Sequence, residues 1–140
     1  MIKYLLILLV IIGCNNAPSN VVTNQTSSEK PKATFPFTMG NDYSLTFGTD
    51  GSTKQDSILI KNEYYPNGYC YESHITQMLE SLDSELLKHI EFDSEAGAFY
   101  ARVDSEENQF KIVNLLSPIF SDTVKFEEWV KKANRSKIHE

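Results

Sequence analysis

Two pairs of side chains in this 140-residue chain have types and spacings that could do chemistry. Cys70 and His74 lie four residues apart near the start of a predicted helix, a spacing that places two metal ligands on one helical face. A protein zinc site needs three or four ligands, and the neighbouring sequence supplies no third. Asp93 and Glu95 have the residue types of a glycosidase pair, but their place on a short turn favours a solvated hairpin.

Other signatures of catalysis are missing from the sequence. It contains no glycine-rich phosphate loop, and none of its serines lies in a nucleophile elbow. We therefore expect a protein that is not an enzyme, has no metal site and needs no cofactor. In that case His74 is a partly exposed histidine without a ligand.

Cys14 has a different kind of chemistry. Residues 4–12 form an uninterrupted apolar run after Lys3, about half of the roughly 20 residues that a membrane-spanning helix needs. Such a run is typical of a secretory signal peptide, and its end, Ile-Ile-Gly-Cys, resembles a bacterial lipobox. The resemblance implies cleavage before Cys14, which predicts a signal peptide over residues 1–13 and lipidation of Cys14.

A lipidated Cys14 would place the protein in the cell envelope, on the periplasmic face of the inner or outer membrane. Two or three acyl chains hold a protein firmly, because each buried methylene contributes about 0.8 kcal/mol. Cys70 then has no internal disulfide partner. We expect it to be a sheltered thiol packed at the start of a helix, with an intermolecular disulfide as the alternative.

Composition divides the rest of the chain into three parts. Residues 14–34 read as the lipidated cysteine and a flexible tether, rich in Asn, Ser, Thr, Val, Pro and Lys and without periodicity. Residues 35–135 have the length and apolar content of a single domain, and residues 136–140 form a tail. The net charge of −6 argues against a nucleic-acid partner, since such proteins carry a basic stripe.

Periodicity predicts the elements of the domain. Strands are expected at residues 43–47, 56–61, 91–93 and 98–103, with an edge strand at 35–37. A loop is expected over residues 62–71. Three helices are expected: one with an apolar stripe from residue 75 to 90, one from Ser105 that Pro118 ends, and one over residues 122–133. This order predicts an α+β domain of two layers. An antiparallel sheet of about four strands would carry the helices on one face.

Charge is uneven along the domain. Residues 80–107 hold nine acidic side chains against Lys88 and Arg102, whereas residues 125–140 are net positive. Solvated faces give such a pattern, and so does an acidic surface that steers a basic partner toward the protein.

Two segments resemble the immunity protein 51 family of bacterial polymorphic toxin systems. Residues 67–72 read Asn-Gly-Tyr-Cys-Tyr-Glu, and residues 92–99 read Phe-Asp-Ser-Glu-Ala-Gly-Ala-Phe. The family pattern is Asn-Gly-Tyr, an aromatic-Glu pair, a helix, and then Phe-Asp-x-Glu-Ala-Gly-x-Phe; the likeness covers roughly residues 43–133. Tyr71 stands where tryptophan is expected in the family, and Ser94 where proline is common.

The resemblance implies a small non-enzymatic protein that binds one toxin and so protects its own cell. Together with the lipobox it implies a lipid-anchored immunity protein, whose partners are a cognate toxin and the membrane. Tyrosine supplies a large contact area and loses little side-chain conformational entropy on binding, because it has few rotatable bonds. Four tyrosines lie within residues 64–71. We expect Tyr69 and Tyr71 to pack on the sheet. The predicted contact residues are Tyr65, Asn67, Glu72, Asp93 and Glu95.

The alternative is an envelope lipoprotein of another class, an accessory or ligand-binding subunit with no toxin partner. An exposed patch of tyrosines and acids favours the immunity protein, and a closed pocket favours the ligand-binding subunit. An envelope hydrolase, a third alternative, would need a cleft with convergent polar groups.

Overall fold

In the computed structural model, which describes residues 27–140, the chain folds as an α+β domain. The described residues form one open antiparallel sheet, with strands β1 (Thr38–Met39), β2 (Ser44–Gly48), β3 (Ile90–Phe92) and β4 (Ala98–Val103) in the order β1-β2-β4-β3. Its helices are α1 (Lys54–Lys61), α2 (Gly68–Leu82), α3 (Glu106–Phe120) and α4 (Thr123–Lys132). The predicted fold class is therefore confirmed. The predicted signal peptide and Cys14 lie outside the described residues.

The helices cover one face of the sheet. In β4, Phe99, Ala101 and Val103 are buried, whereas Arg102 between them is exposed, as the two-residue period of a strand requires. Ala101 pairs with Leu45 of β2, which is also buried, so the same alternation continues across the sheet. Aromatic rings fill much of the space between the layers, since Phe37 and Phe47 contact one another and each contacts both Phe99 and Phe120.

The strand predicted at residues 56–61 is wrong, because the segment lies in α1. Thr53 and Asp56 form a capping box: the Thr53 hydroxyl accepts from the Asp56 N–H at 3.0 Å, and the Asp56 carboxylate accepts from the Thr53 N–H at 2.9 Å. The apolar run at residues 58–60 is too short to distinguish a helical period from a strand period. The cap therefore decides the structure of this segment.

Two other helix boundaries differ from the prediction. Helix α2 begins at Gly68, so its first turn takes up the end of the predicted loop, and a 3-10 turn at Ser84–Lys88 follows it. Helix α3 begins after the expected cap Ser105 but continues past Pro118 to Phe120. Proline removes one helical hydrogen bond, and the exposed Pro118 does so without ending the helix. Strands β3 and β4 and helix α4 lie where they were predicted.

Both ends of the described chain lie against helices. The Asn114 side-chain amide donates to the carbonyls of Ser27 and Glu29 at 3.1 and 2.7 Å, so the last part of the predicted tether contacts α3. A 3-10 turn at Arg135–Lys137 leads into the predicted tail, which lies on α2, where the His139 N–H donates to the Ser73 hydroxyl at 3.0 Å. Residues 136–140 are thus part of the domain. Within residues 27–140, no helix combines the length and the apolar character needed to cross a membrane.

Candidate interaction surface and the cleft beside α2

The loop before α2 docks on the hairpin between β3 and β4. The Gly68 N–H donates to the Ala96 carbonyl at 3.4 Å, and the carbonyl oxygens of Glu95 and Ala98 occupy the space that a side chain at position 68 would need. Glycine is required here for close approach of two backbones. Residues 67–72 and residues 92–99 therefore meet in space at one end of the sheet.

Asn67 helps to hold this contact from within the fold. Its side-chain oxygen accepts from the Cys70 N–H at 2.8 Å and so caps α2. Only 5% of Asn67 is exposed. Asn67 is thus a buried helix cap and not the surface contact that the sequence predicts.

Three of the predicted contact residues are carboxylates next to the docked loop. Glu72 follows Gly68 by one helical turn and lies half-buried on the same face of α2. Asp93 and Glu95 are exposed on the hairpin, whose turn is held by Ser94: the Ser94 hydroxyl accepts from the Tyr100 N–H at 3.2 Å. None of the ion pairs in the described part of the chain involves these three side chains.

The tyrosines of residues 64–71 divide into two exposed and two buried side chains. Tyr65 and Tyr69 are 67% and 43% exposed, so the packing predicted for Tyr69 is wrong. Tyr71 is buried as predicted, and its hydroxyl donates to the buried Asp56 carboxylate at 2.7 Å. Burial, and next the hydrogen bond to Asp56, raise the pKa of Tyr71. The Tyr65 N–H donates to the Glu140 carboxylate at 3.2 Å, so the C-terminal segment borders this surface.

Cys70 and His74 both lie inside the domain. Cys70 is a buried free thiol at the start of α2, as predicted, and burial, followed by the charge of Glu140, raises its pKa to about 12. The partial exposure predicted for His74 is wrong, because only 1% of this residue is exposed. Across residues 27–140, no group of three or more His, Cys, Asp and Glu side chains is placed to hold a metal ion.

A cleft of about 430 Å³ lies between α2 and α4, with His74 in its wall. Burial lowers the pKa of His74 to about 4, so its ring is neutral near pH 7. The His74 Nε2 atom is buried and has no hydrogen-bond partner among residues 27–140. A buried polar group without a hydrogen bond lowers the stability of a fold by about 1–3 kcal/mol. Most buried polar atoms in proteins are hydrogen-bonded, and the His74 Nε2 atom is an exception to that rule.

The cleft is the feature that sequence reasoning missed. Its lining residues are His74, Gln77, Met78, Ser81, Trp129, Lys132 and Ala133. They come from two helices far apart in the chain, and no local motif links them. The sequence holds a weak signal for the Gly68 contact, because a glycine directly follows the capping asparagine. The hairpin residues that Gly68 contacts, however, are also far from it in sequence and share no local motif with it.

The comparisons with known proteins leave the function to be argued from this geometry. No protein-family model matches the chain, and no curated protein or solved structure is significantly similar to it.

Proposed function

We propose that this chain is a lipid-anchored immunity protein that binds and neutralises a cognate bacterial toxin through stoichiometric protein–protein contact, without catalysis of its own. The observation that carries the proposal is the contact of Gly68 with the Glu95 and Ala98 carbonyls. It joins the two segments that resemble the immunity family into one end of the domain. If the two segments were unrelated surface loops, no close backbone contact between them, and no glycine at position 68, would be required.

The chemistry around this contact suits a protein partner. We define the tyrosine–acid surface as Tyr65, Tyr69, Glu72, Asp93 and Glu95. The two tyrosines are exposed aromatic rings of the kind that dominate binding energy at interfaces. The carboxylates make no ion pairs within the described residues, so they remain free to attract a basic partner and to speed its association.

The envelope location is proposed from the lipobox-like end of the apolar run. Lipidation at Cys14 would hold the domain at a membrane surface, where an incoming toxin arrives or acts. The Cys14→Ala variant should accumulate as an unlipidated precursor. Cleavage after Gly13 in this variant, with acylation elsewhere, would contradict the anchor.

The test of the immunity proposal is co-expression with the toxin that is encoded beside this protein. Cells that produce the toxin should survive only when this protein is present, and the purified pair should form a 1:1 complex. The Tyr65→Ala and Glu95→Gln double variant should protect less well than the Tyr43→Ala control, which removes an exposed tyrosine from the bend before β2. Absence of a neighbouring toxin gene, or equal death with and without this protein, would overturn the proposal.

The cleft between α2 and α4 favours a second candidate, a ligand-binding envelope lipoprotein without a toxin partner. Its volume lies in the range of small-molecule sites. The two candidates use different residues, since none of the cleft residues belongs to the tyrosine–acid surface. A toxin-protection assay and a ligand titration can therefore fail or succeed independently.

A further inference from the structure

We propose that the cleft between α2 and α4 binds a small organic carboxylate with a compact apolar body. This inference stands on the geometry of the cleft and does not depend on the immunity proposal. It names a ligand class that neither the resemblance to the immunity family nor the sequence motifs suggest.

The walls of the cleft offer a shaped, partly apolar surface. Met78 and the indole of Trp129 line it, one from each helix. Gln77 is held in place because its amide exchanges two hydrogen bonds with the backbone of Asn134, at 2.7 and 3.3 Å. A side chain with fixed partners forms a wall and does not compete for the ligand.

His74 supplies a polar group inside the domain. The Tyr64 ring contacts the imidazole edge-on, with centroids 4.8 Å apart, and the Arg135 guanidinium lies 4.5 Å from the centroid of Tyr64. The Tyr64 ring therefore packs on the imidazole, and Arg135 packs on the Tyr64 ring. The buried Nε2 atom has no partner among the described residues, so a ligand atom that accepts a hydrogen bond from an Nε2–H would satisfy it.

The charge of the residues that line the cleft favours a negatively charged ligand. Lys131 pairs with Glu127 at 2.9 Å and Lys137 pairs with Glu80 at 3.2 Å, whereas Lys132 makes no ion pair with any described residue. None of the residues that line the cleft is acidic. The cleft therefore carries one positive charge without a counter-ion, and hydrogen bonds to a charged group are stronger than neutral ones.

The hydrogen-bonding groups of the cleft match a carboxylate better than a more highly charged anion. The Lys132 ammonium donates to one oxygen, and the His74 imidazole and the Ser81 hydroxyl can donate to the other. One lysine balances one negative charge but leaves a dianion such as phosphate half-neutralised, and burying an unpaired charge is costly. The apolar body of the ligand would then contact Met78 and Trp129.

Binding can be read directly from the protein. Trp129 is the single tryptophan of the chain and lines the cleft, so the tryptophan fluorescence of the folded protein reports on this position. The full-length protein in mild detergent is titrated with cyclohexanecarboxylate, and in parallel with the neutral cyclohexanecarboxamide of the same shape. We expect a saturable change with the carboxylate and at least about tenfold weaker binding of the amide. No saturable change, or equal binding of the two probes, would overturn the proposal.

Two lysine variants on the same helical turn provide a matched comparison. Lys132→Met should weaken carboxylate binding about tenfold, because it removes the unpaired charge of the cleft. Lys131→Met should change binding less than about twofold, since Lys131 does not line the cleft and pairs with Glu127. Equal effects of the two variants would contradict the proposed site.

The contact of His74 with the ligand is tested on the wild-type protein, because a substitution in the wall of the cleft would change its shape as well as remove the contact. Long-range proton–nitrogen NMR spectra of the labelled protein should show the Nε2 resonance of His74 moving as the carboxylate saturates the site. The resonance of the exposed His139 should stay in place. A His74 resonance that does not move during saturable binding would contradict the assigned contact.

Discussion

Gly68, the first residue of α2, lies against the carbonyl oxygen of Glu95 in the β3–β4 hairpin. A Cβ atom at position 68 would overlap this oxygen and that of Ala98. Backbone atoms cannot move aside as a flexible side chain can. The start of the helix and the turn of the hairpin therefore hold one another in place.

Gly68→Ala should destabilise the domain by about 1–3 kcal/mol, since the added methyl group must displace the hairpin backbone. The matched control is Gly97→Ala in the same hairpin, where an added Cβ would meet no atom within 4 Å. The control should change stability by less than about 0.5 kcal/mol. Urea unfolding followed by tryptophan fluorescence measures both, and equal stability of the two variants would contradict the close contact.

Tyr71→Phe should lower the free energy of unfolding by about 1–3 kcal/mol, because it leaves the buried Asp56 Oδ1 atom without its donor. Tyr100→Phe is the control. The Tyr100 hydroxyl accepts from the Arg102 guanidinium at 3.2 Å in an exposed setting, where the loss is expected to be small. Chemical denaturation at neutral pH compares the two, and a Tyr71→Phe protein as stable as the wild type would exclude a stabilising role for this hydrogen bond.

His74 should make stability depend on pH. Burial lowers the pKa of His74 from 6.5 to about 4 in the folded protein. Below about pH 6.5 the unfolded chain takes up a proton that the folded domain takes up only near pH 4, so stability falls as the pH drops through this window. The total loss is on the order of 3 kcal/mol.

The measurement is urea unfolding between pH 7 and pH 4.5. His74→Gln should flatten the pH dependence relative to wild type, whereas His139→Gln, a change at an exposed residue, should leave it unaltered. The same slope in wild type and His74→Gln would show that His74 does not remain neutral in the folded state.

Cys70 should react slowly with a maleimide in the Cys14→Ser background. Burial raises its pKa to about 12, so little thiolate is present at pH 8, and the thiol is covered. Deletion of residues 136–140 should speed labelling, because it removes the contacts of His139 with Ser73 and of Glu140 with Tyr65. A cysteine placed at the exposed Ser84, with Cys70 changed to Ser, is the fast reference.

Equal labelling rates for Cys70 and the cysteine at position 84 would contradict the shelter of the thiol. Non-reducing electrophoresis adds a second check. The Cys14→Ser protein should run as a monomer, and a quantitative disulfide dimer would make Cys70 an assembly residue instead.

Tyr65→Ala should raise the dissociation rate of the proposed toxin complex, because loss of an aromatic contact costs about 2 kcal/mol or more at an interface. Asp93→Asn should slow association and reduce its salt dependence, since an exposed carboxylate acts mainly by steering. Surface plasmon resonance at two salt concentrations separates the two effects. Rates unchanged from those of Tyr43→Ala would exclude the tyrosine–acid surface as the interface.

Local signals in the sequence were enough for part of the fold. The alternation of residues 98–103, the cap at Ser105 and the amphipathic pattern of α4 each depend on neighbours within a few residues. Strand β4 and helix α4 lie where they were predicted, and helix α3 begins where it was predicted. The order of these elements was then sufficient for the α+β class. The strand prediction for residues 56–61 was wrong because the apolar run in this segment is short, so the capping box decided between helix and strand.

The rest depends on which distant residues meet, and periodicity carries no such information. The chain alone marked Tyr65, Asn67 and Glu95 as surface residues with equal weight, but packing buries Asn67 as a helix cap and leaves Tyr65 and Glu95 exposed. Packing also buries His74 beneath Tyr64 and opens a cleft between His74 and Trp129. The chain by itself determined which side chains are present and which local elements they favour. Only the tertiary structure decided which of them lie at the surface and which face one another, because burial is set by contacts between elements that are far apart in sequence.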